Sequence, residues 1–419
     1  MLKNKGRVEL ITGLDIGSTA IRLAVGQLTV SDSGEPQLQI IGAVETPSDG
    51  IQKGNITSID ETVSSVSSAL EHAEKMVGVP LEHVWVGVSG ANTLCQDSKG
   101  VVAIARTDGE ITEEDVARAV EAAKTIASPL NYEILHVLPR SYAVDGQIGV
   151  KDPVGMTGIR LEVDAKIIYG LTAHIKNLTK TIYRTGVDID DFVLSVIASG
   201  DVIIGSKQKE LGTVIVNIGG STTSLVVYEE GDIIHMAVLP IGSAHITNDL
   251  ALGLKTSIDI AEKIKIQYGQ CVSKGVSKKD IIDFSAEGSE VTEAVSRYYI
   301  SQIIEARATE IMEKIDAELQ KIHRSGLLPA GAQFIGGGAK IRGLVELAKQ
   351  ELHLPSALGY AVGIQSISDK INDISFVPAM GLVKWGVGMS IHGRKTRIGA
   401  NIGGKLAEKL RGIFKSLVP

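Results

Sequence analysis

The chain has 419 residues, 44% of them hydrophobic and 22% charged, with a net charge of −7, a globular composition long enough for roughly two to four domains. Two cysteines, Cys95 and Cys271, are too few for a disulfide framework or an all-cysteine zinc site and fit a reducing compartment. No signal peptide is read in the first residues and no apolar run approaches the ~18 residues of a bilayer span, which argues against a secreted, disulfide-stapled, collagen-like or integral-membrane protein.

The net charge hides an asymmetry. From residue 391 onward seven basic side chains face a single acidic one, Glu408, so the rest of the chain is more acidic than the total. An acidic body repels nucleic-acid phosphates, and no nucleic-acid partner is expected. A basic tail seeks an anionic surface.

In chain order, residues 8–15 and 20–28 predict a hairpin, with 38–45 as a third strand. Helical spacing over 60–76 precedes an extended 84–88. Thr112 and Asp115 supply an N-cap and an N3 acid for a helix over 112–126, with strands expected at 101–105, 134–138 and 159–169 around it. This block looks like a small α+β unit inserted in a larger chain. Residues 213–218 and 223–228 predict a second hairpin, and 259–268 a helix closed by Gly269 at its C′ position. A long helix is expected over 296–322, then a strand that ends in Gly336, Gly337 and Gly338 and opens a helix over 340–352.

The two hairpins echo each other. Asp15-Ile16-Gly17-Ser18-Thr19 and Asn217-Ile218-Gly219-Gly220-Ser221-Thr222 each join two apolar strands, and their leading residues stand 202 positions apart. That pattern suggests two related half-molecules. A Gly-Ser-Thr tip exposes backbone N–H groups and hydroxyl donors, a concave site suited to phosphate. A carboxylate at the strand end, Asp15, could hold hydrated Mg²⁺ against those phosphates. Either turn alone is equally an ordinary tight β-turn. Glu262 and Lys265, one helical step apart, could meet ribose hydroxyls and adenine, or form an exposed ion pair.

Taken in order, 15–22 (Asp-Ile-Gly-Ser-Thr-Ala-Ile-Arg), 217–222, 261–265 (Ala-Glu-Lys-Ile-Lys) and 334–339 (Phe-Ile-Gly-Gly-Gly-Ala) resemble the phosphate-1, phosphate-2, adenine-side and adenosine motifs of the actin/Hsp70/sugar-kinase ATPase superfamily. Within it, 136–145 (His-Val-Leu-Pro-Arg-Ser-Tyr-Ala-Val-Asp), 152–158 (Asp-Pro-Val-Gly-Met-Thr-Gly), 241–249 (Ile-Gly-Ser-Ala-His-Ile-Thr-Asn-Asp) and the basic terminal segment resemble the FtsA family of actin-like bacterial cell-division proteins. The similarity runs from about residue 10 to the end. It implies an α/β, actin-like two-lobed ATPase fold with an inserted small α+β subdomain (1C) and a C-terminal amphipathic helix.

The implied plan is 1A over 1–82, 1C over 83–165, 1A again over 166–198 and 2A over 199–249. It continues with 2B over 250–330, 2A again over 331–354, a return to 1A over 355–390, a flexible linker over 391–404 and a membrane-targeting helix over 405–419. The implied cofactors are ATP and Mg²⁺. Asp15, Gly17, Ser18, Thr19, Asn217, Gly219, Gly220, Ser221, Thr222 and Gly242 would surround the phosphates, with Asp15 on the metal through water. Glu262, Lys265, Gly336, Gly337 and Gly338 would face the adenosine. The superfamily usually has Asp where Asn217 stands; an amide adds no charge and cannot act as a base. Ser199, near the expected interlobe connection, is a poor base, so ATP is expected to bind and to be hydrolysed slowly.

The implied partners are the FtsZ C-terminal peptide, with Arg307 meeting a carboxylate, other copies of the chain in a filament, anionic phospholipid and other division proteins. The implied location is the cytoplasmic face of the cell membrane at the division site. Arg307 also reads as part of a solvated helix face. Rival readings are a PilM-like pilus-assembly adaptor of the same fold, a small-molecule kinase of the superfamily, which would need a catalytic Asp in its cleft, and an Hsp70-like chaperone.

The tail supports the membrane reading by its own pattern. Over 405–417, Leu406, Leu410, Ile413, Phe414 and Leu417 share one helical face, with Lys409, Arg411 and Lys415 at or beyond its edges. Such a helix is about 20 Å long, too short to cross a bilayer and suited to lying in its interface, although docking on the body is the alternative. One tail binds weakly after ordering costs, and many tails along a filament bind through effective concentration. Deleting 405–419 is expected to abolish co-sedimentation with liposomes while leaving ATP binding intact; unchanged sedimentation would refute the assignment.

Overall fold

The computed structural model describes residues 10–30, 36–125, 129–282, 295–366 and 369–397. The expected helix over 405–419 and the tether from 398 lie outside the described residues.

The first lobe opens with β1 (Leu10–Ile16), β2 (Ala20–Val30) and β3 (Pro36–Pro47), followed by a small hairpin, β4 (Ile51–Gln52) and β5 (Asn55–Ile56), then α1 (Ile59–Val77) and β6 (His83–Val88). Ser58 caps α1 by accepting from the Glu61 N–H, Asp60 and Glu61 complement the dipole in its first turn, and Gly78 ends it at φ 77°. β1 is buried along nearly its whole length, as a central strand covered on both faces requires.

An inserted four-stranded sheet follows: β7 (Thr93–Ala103), α2 (Glu113–Ala123), β8 (Tyr132–Val144), β9 (Gln147–Val150) and β10 (Arg160–Leu171), in the spatial order β7-β10-β8-β9. The Thr112/Asp115 capping box forms as expected. Two strands depart from expectation. β7 starts at Thr93, well before the expected 101, because its first half is a polar, largely exposed edge that reads as loop. β8 runs through Pro139, which sits at a register shift opposite 164–165 where β9 does not pair, so no ladder partner misses its N–H. The insertion has its own small core of Ile104, Ile111, Leu161 and Val163.

The chain then returns through α3 (Thr172–Tyr183), β11 (Asp188–Leu194), α4 (Ser195–Ile203) and α5 (Ser206–Leu211). The second lobe contains β12 (Thr213–Ile218), β13 (Thr223–Glu229), β14 (Asp232–Leu239), α6 (Ser243–Leu254), α7 (Ile258–Tyr268), β15 (Ile281–Ile282), β16 (Val295–Ser296), α8 (Arg297–Lys321), β17 (Ala332–Ile335), α9 (Leu344–Leu352) and β18 (Ser356–Leu358). β19 (Gln365–Ser366) rejoins the first sheet, and α10 (Val377–Arg397) closes the described chain, carrying helix past residue 391 into the segment expected as linker.

The two large sheets repeat one plan. The first is ordered β11-β6-β1-β2-β3-β19 and the second β18-β17-β12-β13-β14, with β1/β6 and β12/β17 parallel and the hairpins antiparallel. Asp15 pairs with Arg22 as Asn217 pairs with Ser224, so the echo in the sequence is kept in the register.

α4 and α10 pack closely between the lobes: a Cβ on Gly381 would lie 2.4 Å from the Ala198 carbonyl oxygen. Beside them Lys209 meets the buried Asp201 carboxylate at 2.7 Å and Lys384 donates to the Asp201 carbonyl. The apolar core runs across the junction, joining Ile197 and Val202 to Ile215 and Val226. Among the described residues no helix is long and apolar enough to cross a membrane.

A second tie joins the insertion to the second lobe, where half-exposed Lys151 pairs with the buried Asp232 carboxylate and donates to the Glu230 carbonyl at 3.3 Å. Burial holds the Asp232 carboxyl above the usual range, against the pull of Lys151. A carboxyl raised on folding favours the folded state below its unfolded value of ~3.9 and loses that contribution as pH rises through its folded value. Lys151→Met removes the opposing pull. It is expected to cost about 1 kcal/mol at pH 7, discounted for the exposure of the ammonium, with the difference in denaturant midpoint from wild type shrinking as pH is lowered toward ~4.

Candidate functional site

The site grows from the ends of the two central strands. β1 turns into β2 over Gly17, Ser18 and Thr19, closed by the Gly17 N–H donating to the Ala20 carbonyl at 3.2 Å. β12 turns into β13 over Gly219 to Thr222, closed in the same way by Gly219 N–H to the Thr222 carbonyl at 2.9 Å. The tips meet across the lobes: a Cβ built on Gly220 would lie 2.1 Å from Thr19 Oγ1. Residues some 200 positions apart thus meet at the tips of the two turns.

The second turn is held from behind. Ser243 and Ala244, in the first turn of α6, donate their N–H groups to the Gly219 and Gly220 carbonyls at 2.9 and 2.7 Å. Gly242 permits this, since its Cβ would stand 2.6 Å from both carbonyl oxygens. Its φ of −161° suits any residue, so space alone demands glycine.

Lys265 and Glu262 are no exposed ion pair. The buried Lys265 ammonium meets Glu262 at 2.7 Å, Thr247 Oγ1 at 2.8 Å and the Ser243 carbonyl at 3.3 Å, tying α7 to α6. Burial lowers the Lys265 pKa, with Glu262 opposing. Gly269 ends α7 at φ −62° rather than left-handed. Its missing Cβ, which would lie 2.1 Å from the Lys265 carbonyl oxygen, explains it instead.

The three glycines after β17 divide in role. Gly336, at φ 88°, packs where a Cβ would lie 2.3 Å from Asn217 Oδ1, and Gly338 packs on Ile218 and Ser243; Gly337 has open space around it. The run forms a 3₁₀ turn over Gly337–Lys340, and α9 starts only at Leu344 after a left-handed Gly343. The expected helix N-terminus at 340 is therefore not there, because the chain must bend before helix can begin.

Asp15 is buried, and its Oδ1 accepts from Ser195 Oγ at 2.8 Å. Burial holds its carboxyl above the usual range, opposed by the Ser195 hydrogen bond and by Arg22, whose guanidinium is paired with Glu45 at 2.7 Å. Among the described residues no cluster of three acidic, histidine or cysteine side chains forms a metal cage. A divalent ion here would draw most of its ligands from water and phosphate, with Asp15 as the protein's charge. The Ser199 hydroxyl donates to the Ser195 carbonyl at 2.7 Å inside α4.

Arg307 lies on α8. It pairs bidentately with Asp249 at 2.6 and 2.9 Å and also with Glu310, beside a groove of about 420 Å³ lined by Leu239, Ile241, His245 and Lys314. Sequence reasoning missed Ser195, Thr247 and the Asp249 partner of Arg307, since a lone serine, threonine or aspartate carries no pattern that forecasts a contact far along the chain.

Comparison with known proteins agrees with this architecture. The family model "Cell division protein FtsA" matches residues 214–381, and that of the "SHS2 domain inserted in FTSA" matches 90–169. FtsA of Pseudomonas aeruginosa is 33% identical over 379 residues, covering 90% of this chain and 89% of its own. The chain belongs to the FtsA family of cell division proteins. FtsA of Bacillus subtilis is 34% identical over 404 residues, covering 96% of this chain and 88% of that one. Among solved structures, the PilM-PilN type IV pilus biogenesis complex matches with a TM-score of 0.64 at 15% identity, covering 90% of this chain and 98% of that chain. MreB5 of Spiroplasma citri bound to ADP matches with 0.54 at 11%, covering 92% and 98%. At such identities these two share the actin-like fold alone, so the likeness to PilM does not carry the pilus reading, while the sequence relationship lies with FtsA.

The glycines of the site make separable demands. Gly242→Val is expected to destabilise the protein by about 1–3 kcal/mol by forcing α6 off the second turn, whereas Gly337→Ala stays within about 0.5 kcal/mol of wild type; denaturant midpoints of the two variants check this.

Proposed function

We propose that this FtsA-family protein binds ATP with Mg²⁺ in the crevice between its lobes, polymerises as an actin-like filament at the cytoplasmic face of the cell membrane, and tethers FtsZ to it at the division site. The observation that carries the nucleotide reading is the meeting of the Thr19 and Gly220 tips. Two sets of turn N–H groups and hydroxyls from opposite lobes suit a polyphosphate gripped from both sides. Gly17, Ser18 and Thr19 would hold it from the first lobe, and Gly219, Gly220, Ser221 and Thr222 from the second, with Gly242 behind them. MreB5 of S. citri, a protein of the same fold, is described bound to ADP and to AMPPNP.

The residues fit the cofactor. Asp15 is a buried carboxylate whose charge is only partly compensated, and a hydrated Mg²⁺ held with the phosphates would complete it. Asn217 would contribute an amide oxygen without charge. Glu262 and Lys265 would face the ribose and base, with Gly336, Gly337 and Gly338 along the adenosine. No water-activating group stands in this set: Asn217 is an amide and Ser199 spends its hydroxyl within α4. Hydrolysis is slow on this reading, and the nucleotide acts chiefly by fixing the angle between the lobes.

The groove beside Arg307 would receive the FtsZ C-terminal peptide, whose carboxylate would exchange with Asp249 for the guanidinium. The segment 405–419 would lie in the membrane interface through Leu406, Leu410, Ile413, Phe414 and Leu417, with Lys409, Arg411 and Lys415 on anionic headgroups. Other division proteins would join through the remaining surface.

Calorimetric titration of ATP with Mg²⁺ into the full chain tests the nucleotide reading. Binding is expected, with at least a tenfold loss in Gly220→Asp, which sets a carboxylate among the phosphates. Absence of heat in the wild type would overturn the reading.

A further inference from the structure

The repeated plan of the lobes singles out a residue that none of the nucleotide motifs contains. In each half, the chain leaves the third strand and returns to brace its own turn before the next long helix. In the second half the start of α6 does this, through Ser243 and Ala244. In the first half the same place in the chain holds only the β4–β5 hairpin, and its tip reaches the first turn, where the Gly54 N–H donates to Ser18 Oγ at 3.0 Å.

That tip is tightly seated. Gln52 pairs with Asn55, leaving Lys53 and Gly54 as a two-residue turn with φ of 50° and 75°. A Cβ on Gly54 would lie 2.9 Å from Gly90 Cα, the Asn92 side-chain amide donates to Asn55 Oδ1, and the Thr57 and Ser58 N–H groups donate to the Gly50 carbonyl at 2.7 and 3.1 Å. Two positive φ angles call for Asn-Gly or Gly-Gly. Lysine stands in the left-handed position instead, against its steric preference. It is exposed and makes no ion pair among the described residues. Other cations near the turns are committed, Arg22 to Glu45, Lys265 to Glu262 and Lys340 to Asp373.

The Lys53 Cα is two bonds from the N–H that Ser18 receives, and a lysine stem spans about 6 Å, so its ammonium can reach the space in front of the first turn. We infer that Lys53 is a phosphate-binding residue that meets the terminal phosphate of a bound nucleoside triphosphate and sets preference for triphosphate over diphosphate. The inference rests on the nucleotide reading above. It explains why a cation stands in a strained position at a hairpin tip that reaches the first turn.

The test is calorimetry of ATP and of ADP, each with Mg²⁺, on the full-length wild type, Lys53→Asn and Lys53→Arg. Lys53→Asn restores the pair that the turn favours and so keeps the hairpin folded. It is expected to weaken ATP binding about tenfold, the loss of one charge-assisted contact, while ADP binding changes less than about twofold on the same scale; Lys53→Arg keeps most of the preference. Equal losses for ATP and ADP, or an unchanged ratio, would overturn the assignment and leave the nucleotide site standing. A wild type that binds neither nucleotide would bring down both.

Discussion

The contact between Thr19 and Gly220 is possible only because two sheets, each complete in itself, are held at one angle to each other. That angle is set by α4 and α10, whose backbones touch at Ala198 and Gly381. The apolar core continues through this junction, so the lobes share packing and are not joined by a mere linker. Asp201, buried between the lobes with Lys209 on its carboxylate and Lys384 on its carbonyl, adds a geometric demand rather than a large stability gain. A buried ion pair tolerates little displacement and contributes modestly to stability. Everything proposed about the crevice inherits its precision from this hinge.

Duplication explains the parts list and its asymmetries. Register, strand order and turn closure repeat between the halves, yet the charges at the turns do not: Asp15 is a buried carboxylate and Asn217 a neutral amide. The second turn therefore brings no acidic charge of its own where the first brings Asp15. The halves also differ after the third strand, with a small hairpin in one and two helices in the other.

The tie from Lys151 to Asp232 gives the inserted sheet a connection to the second lobe. The inserted sheet packs on the first lobe through Leu135, Leu138 and Ile168, and its strands β7 and β8 also lie against β14 of the second. The strand pair β13–β14 runs from the second turn at one end to Asp232 at the other, a stiff link between the crevice and the insertion.

Local patterns by themselves determine a good part of this protein. Both hairpins, the capping box at Thr112 and the long helix α8 follow from alternation, capping chemistry and helical spacing, all of which act within a few residues. The glycine turns pointed to the crevice because their echo was visible as a repeated string. The polar first half of edge strand β7, the bend that delays α9 to Leu344 and the true reason for Gly269 were invisible, since each depends on what packs against it. So were the partners of Asp15, Lys265 and Arg307, namely Ser195, Thr247 and Asp249. A side chain's partner is chosen by where the fold brings distant backbone, and no short-range propensity encodes that distance.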